Sequence, residues 1–154
     1  MIYTEVQYAS TAEEIPDQEQ FKTWLEAALA DRGRDVEVVI RIVDEPESAE
    51  LNQQFRQKTG PTNVLSFPVQ LPEPVTIDLI GDLVICGPVV LAEAKQQNKR
   101  CHDHWAHLVI HGVLHLLGYD HVEDAQAELM EAQEIFILKQ LNINNPYDEI
   151  LDDE

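Results

Sequence analysis

The 154-residue chain is poor in cysteine, in basic residues and in aromatic rings. Its two cysteines, Cys86 and Cys101, form no C-x-x-C pair and no dense framework. That excludes a disulfide scaffold and fits two reduced thiols in a cytosolic protein. No apolar run approaches the roughly 20 residues of a membrane-spanning helix. The first ten residues, MIYTEVQYAS, lack a basic stretch followed by an apolar one, so no secretory signal is expected. Ten Lys and Arg stand against 29 Asp and Glu, a net charge of −19. That balance argues against loose binding to bulk nucleic acid, because neutralising phosphates needs cations.

The acid is unevenly spread. From His121 onward there are ten Asp or Glu residues and one base, Lys139. Most of the other bases gather in groups: Arg32, Arg34 and Arg41; Arg56 and Lys58; Lys95, Lys99 and Arg100. One face could therefore still receive a polyanion, although solubility alone would account for such charges.

With 44% apolar residues, residues 1–154 can build one core without staples, ending in an acidic tail over 142–154. Alternation over Ile2–Tyr8 and β-branched runs over Val36–Val43, Val64–Val69 and Ile77–Ile85 predict four strands. Pro68 marks the third as an edge or an irregular end. Apolar periodicity predicts helices from Asp17 to about Arg32, from Asp44 to about Gln57, from Gly87 to about Lys99, over His102–Leu117 and over Glu123–Leu141. Gln70–Thr76, with two prolines, reads as a loop. The expected fold is α+β: a small mixed sheet packed against five helices, with His102–Leu117 as the buried central helix.

Five of the six histidines lie between His102 and His115, and His121 is the sixth. His104, His107, His111 and His115 share one side of the helix, so spacing alone does not select ligands. Residues i and i+4 stand about 5–6 Å apart at Cβ, and two imidazoles there can point at one ion. Gly118 decides between the pairs. A glycine can take the left-handed conformation that ends a helix, and the returning chain can bring His121 to His111 and His115. His107 would sit about 5.4 Å further down the axis. Two buried core histidines would explain an isolated pair, but three imidazoles gathered without a shared partner would be costly. Three neutral imidazoles with an open position describe a catalytic zinc site holding one Zn2+.

The spacing H-x-x-x-H-x-x-G-x-x-H resembles the zinc-binding stretch of metzincin proteases, which carry Glu directly after the first histidine as general base. Here that position is Gly112, so the protease base is absent.

The run His-Gly-Val-Leu-His-Leu-Leu-Gly-Tyr-Asp-His over 111–121 closely resembles the signature of the YbeY family of bacterial endoribonucleases, the rRNA maturation factors. Two further stretches, Leu51–Pro68 (LNQQFRQKTGPTNVLSFP) and Ile80–Ile85 (IGDLVI), are similar to that family's other blocks. Asn63 departs from the Asp usual there and reads as a turn residue in either form. The resemblance implies a single-strand-specific metallo-endoribonuclease acting on rRNA precursors of the small subunit. It also implies a part in ribosome quality control, ribosomal or assembly-protein partners, and a cytoplasmic setting. It carries the metal ligands onto His111, His115 and His121 and a functional arginine onto Arg56, making Arg56, His111 and His115 the expected catalytic residues. The general base is not visible; Asp120, adjacent to His121, is a candidate, and it could equally orient one of the imidazoles. A non-catalytic assembly factor held by zinc, or another zinc hydrolase, are the competing expectations.

Overall fold

The computed structural model describes residues 2–30, 35–68, 78–119 and 123–147. Among the described residues are four strands, β1 (Ile2–Ala9), β2 (Val36–Val43), β3 (Val64–Pro68) and β4 (Asp78–Cys86), and five helices. These are α1 (Gln18–Ala28), α2 (Glu45–Arg56), α3 (Gly87–Gln96), α4 (Cys101–Leu116) and α5 (Asp124–Gln140). The sheet order is β1-β2-β4-β3; β1, β2 and β4 are parallel, and β3 runs antiparallel on the edge. The α+β fold with a mixed four-stranded sheet and five helices is as expected, and Pro68 does lie on an edge strand. The predicted loop over Gln70–Thr76 and the last part of the acidic tail lie outside the described residues.

Two helix ends differ from the expectation. α1 ends at Ala28 rather than near Arg32, with Leu29 as its C-cap. α3 stops at Gln96 rather than Lys99 because Asn98 turns left-handed at φ 55°. The Lys99 amide then closes on the Ala94 carbonyl, an ending that asparagine tolerates better than most residues.

Alternation sorts the sheet into two faces. Val36, Val38, Ile40 and Ile42 of β2, with Leu83 and Ile85 of β4, pack on one side with Phe21, Trp24 and Leu25 of α1 and the apolar residues of α4. Val43, Leu65, Val84 and Cys86 form a smaller cluster on the other side, against Leu51 of α2 and Val89 of α3. α4 is apolar nearly all round, and Trp105, Val109, Ile110 and Val113 are fully enclosed. It packs on α1, α3, α5 and β3. A helix so surrounded has its polar residues where neighbours leave a gap, and those residues are the histidines.

Candidate metal centre

The C-terminal end of α4 builds the site. Gly118 sits at φ 102°, its amide bonded to the His115 carbonyl at 3.0 Å, and the next amide, Tyr119, reaches back to the Leu114 carbonyl at 3.0 Å. This pair of crossed bonds is a Schellman ending. It also brings the Tyr119 carbonyl to the His115 ring, 3.1 Å from Nδ1. A carbonyl only accepts, so His115 Nδ1 carries the proton and Nε2 is left with its lone pair.

His111 is fixed the same way by a different partner. Its Nδ1 lies 2.7 Å from the Oε2 of Glu134, a fully buried carboxylate of α5. Nδ1 donates, and Nε2 presents its lone pair. The two Nε2 atoms then face each other at 3.2 Å. Two acceptors at that distance repel unless a cation or a proton lies between them. Two ligands of one tetrahedral zinc, each at about 2.05 Å, stand about 3.3 Å apart. The donor set therefore fits a divalent ion, and both imidazoles carry the outer hydrogen bond typical of metal-bound histidine. His121 and Asp120 lie outside the described residues.

Behind this pair is a second layer. Glu134 Oε1 accepts from His107 Nε2 at 2.8 Å and from the Tyr147 hydroxyl at 2.5 Å. Burial alone would raise the Glu134 carboxyl. Hydrogen bonds from His107, His111 and Tyr147 outweigh it and hold the group down at about 2, so it is a carboxylate at neutral pH. Burial also lowers the His107 imidazole. His107, His111 and Glu134 form a group that could itself hold a metal ion. Glu134 was not legible as a site residue among ten tail acids, though one signal existed. It falls in line with Met130, Ile137 and Leu138 on the buried stripe of α5, where an ionised residue needs partners.

Arg56 ends α2. Two buried polar residues of that helix hold the following loop: Ser48 Oγ bonds both the Thr62 amide and its carbonyl at 3.0 Å, and Asn52 Nδ2 donates to the Gly60 carbonyl at 2.8 Å. Folded back this way, the loop puts Arg56, Lys58 and Asn63 into one cleft of about 240 Å³ with His111 and His115. The expected arginine and the two helical histidines thus line a common space. Asn63 does more than hold its turn. Its Oδ1 accepts from the Val64 amide at 2.6 Å and its Nδ2 donates to Glu93 at 3.1 Å, a bond that an aspartate could not make while ionised.

Gly112 faces the sheet. A Cβ there would stand 2.8 Å from Leu83 Cδ2 and 3.3 Å from Ser66 Oγ. Ser66 Oγ in turn donates to the Gly112 carbonyl at 3.1 Å. The position after the first histidine is packed against β3 and β4, with no room for a base.

The chain is similar to known proteins over nearly its whole length. The family model described as Endoribonuclease YbeY matches residues 5–142. A protein of that name from Methylococcus capsulatus is 58% identical over 150 residues, covering 97% of this chain and 98% of its own. Another, from Colwellia psychrerythraea, is 49% identical over 147 residues, covering 93% and 95%. A solution structure from Thermotoga maritima, 30% identical, superposes with a TM-score of 0.57 over 97% of this chain and 99% of that one.

Proposed function

The chain belongs to the YbeY endoribonuclease family, and on that premise we propose that it is a metal-dependent hydrolase that cuts single-stranded RNA during rRNA maturation. The observation that carries the metal dependence is the pair of Nε2 atoms meeting at 3.2 Å while each Nδ1 is anchored. His111, His115 and His121 are the proposed ligands, and zinc suits three imidazoles. We take Glu134 as the partner that orients His111 rather than as a ligand, because its carboxylate already accepts from three donors.

A divalent ion held there supplies Lewis-acid stabilisation of charge on a phosphate oxygen and makes water more acidic. The residues supply the rest. Arg56 meets the phosphate with its planar fork and offsets charge as it develops in the transition state. Asn63 and Lys58 bound the same cleft. The packed glycine at 112 leaves that position without a base, so the proton acceptor lies elsewhere. End groups identify the nucleophile: a 2′,3′-cyclic phosphate with a 5′-hydroxyl marks the RNA's own 2′-hydroxyl, and a 5′-phosphate with a free 3′-hydroxyl marks water.

The substrate setting follows from family and charge together. A chain at −19 with few cations at its cleft suits a placed substrate better than free RNA. We place it on small-subunit precursors in the cytoplasm, guided by ribosomal or assembly proteins, with a part in ribosome quality control. No helix among the described residues is long and apolar enough to cross a membrane. The test is metal content and cleavage of a single-stranded RNA on one purified sample, with and without chelator. About one ion per chain and chelator-sensitive cleavage are expected. Full cleavage by metal-free protein refutes the proposal, and bound metal without cleavage favours the assembly-factor reading.

A further inference from the structure

The basic group Lys95, Lys99 and Arg100 has no part in the site so far. Lys95 ends α3 and Arg100 caps α4. Between them, the left-handed turn at Asn98 and the Lys99–Ala94 bond fold Lys99 inward. Lys99 lines a cavity of about 370 Å³ together with Asn63, Glu93, His104, His111 and Tyr147. That volume is within the range of pockets for small ligands, roughly 300–1,000 Å³.

This cavity adjoins the Arg56 cleft. Asn63 and His111 line both, so the two spaces meet at the proposed metal ligand, with Arg56 and Lys58 on one side and Lys99 on the other. Cations on both sides of a reaction centre suit a polymer that carries one phosphate per unit. Glu93 is the acidic group lining the Lys99 side. Its Oε1 is engaged by His104 Nε2 at 2.9 Å and Asn63 Nδ2 at 3.1 Å. Those two donors fix its position and occupy its oxygens, and its charge still acts on Lys99, which an incoming phosphate must share. Tyr147, 43% exposed, supplies a ring at the wall, as single-strand channels do.

The geometry points to a second subsite: the Lys99 cavity receives the nucleotide flanking the scissile phosphate, with the Lys99 ammonium on its own phosphate. This inference rests on the nuclease reading above and extends it from one phosphate to a strand path.

The test is equilibrium binding of zinc-loaded protein to a fluorescein-labelled single-stranded RNA dodecamer, 2′-O-methylated so that it is not cut, over a range of salt. The parent, Lys99→Ala, Lys99→Arg, Arg56→Ala and the control Lys22→Ala on α1 are compared, with melting curves for each. Lys99→Ala is expected to bind more weakly and to lower the slope of log affinity on log salt by about 0.7, the loss of one phosphate contact on a single strand. Lys99→Arg keeps the slope, and Lys22→Ala matches the parent. If Lys99→Ala retains the parent's slope while Arg56→Ala loses a contact, the subsite is wrong and the nuclease reading stands. If the parent itself shows no salt-dependent binding even at low salt, the subsite falls, while the nuclease reading is decided separately by the cleavage assay with and without chelator.

Discussion

Glu134→Gln tests the metal centre without emptying space. The change swaps one carboxylate oxygen for an NH2 group of similar size in a fully buried site. Three donors meet that carboxylate: His107 and Tyr147 on Oε1, His111 on Oε2. If the amide oxygen stays with His107 and Tyr147, the NH2 group faces His111 Nδ1 and forces it to accept. The proton then moves to Nε2, the atom aimed at His115, and His111 can no longer ligate without losing it. If the amide flips, NH2 opposes two donors, at about 1–3 kcal/mol for each buried group left unsatisfied. The first arrangement is cheaper and acts on the metal. Loss of such an outer partner costs about 10–100-fold in metal affinity, or about 1.4–2.8 kcal/mol. Competition for Zn2+ with a chromogenic chelator measures this, and the absorption spectrum of the Co2+ form reports a changed ligand field. A Gln variant with parental Zn2+ affinity and an unchanged Co2+ spectrum refutes the role given to Glu134.

Arg56→Ala is expected to keep its metal and lose about a hundredfold or more in RNA cleavage, whereas His115→Ala loses both; equal cleavage by Arg56→Ala and the parent refutes the phosphate role. Gly112→Ala should cost about 1–3 kcal/mol by overpacking Leu83 and Ser66, a fall of roughly 2–12 °C in melting temperature for a domain of this size. An unchanged melting temperature would mean that the β3–α4 contact gives way freely. Burial would raise the Glu93 carboxyl, but hydrogen bonds from His104 and Asn63 hold it below its ordinary 4.5. A carboxyl depressed by folding stabilises the fold above pH 4.5 and loses that contribution as pH falls through its folded value. The melting-temperature gap between the parent and Glu93→Gln should therefore narrow on acidification below pH 4.5, and a gap constant from pH 7 to 3 refutes the assignment.

The sequence carried the fold's elements because their periods are clean. Burial alternates over Val36–Ile42 in the structure, with Val36, Val38, Ile40 and Ile42 inside, and breaks only at Val43, which is buried on the other face. The helix ends were harder. α3 stops three residues early through a left-handed asparagine, a conformation that composition does not announce. The histidine pair and the glycine were legible because their chemistry is local, all within one helix and its ending. The outer partners were not. Glu134 reaches His111 from 23 residues away in sequence, and its acidity is hidden among tail acids. Asn63 looked like a turn residue because its bond to Glu93 spans 30 residues. Long-range polar pairs depend on helix packing, which hydrophobic pattern fixes only loosely.

Gly112 links the missing base to the arginine. In the metzincin pattern the residue after the first histidine carries the acid. Here that side of α4 lies against the sheet, close enough that Ser66 bonds the Gly112 carbonyl and a Cβ would meet Leu83 at 2.8 Å. β3 is the antiparallel edge strand, and the loop leading into it from Arg56, the last residue of α2, brings Lys58 and Asn63 into the cleft that Arg56 shares with the histidines. A side chain at 112 would press on Leu83 of β4 and on Ser66 and Val64 of β3, the strand that this loop enters. Close packing of the sheet on α4 therefore excludes a base at 112 and places β3 beside the cleft that Arg56 lines. On this account Gly112→Ala lowers stability and cleavage together while metal affinity, set by Glu134 and Tyr119 from other directions, is retained. Loss of metal in that variant would show instead that β3 positions the histidines themselves.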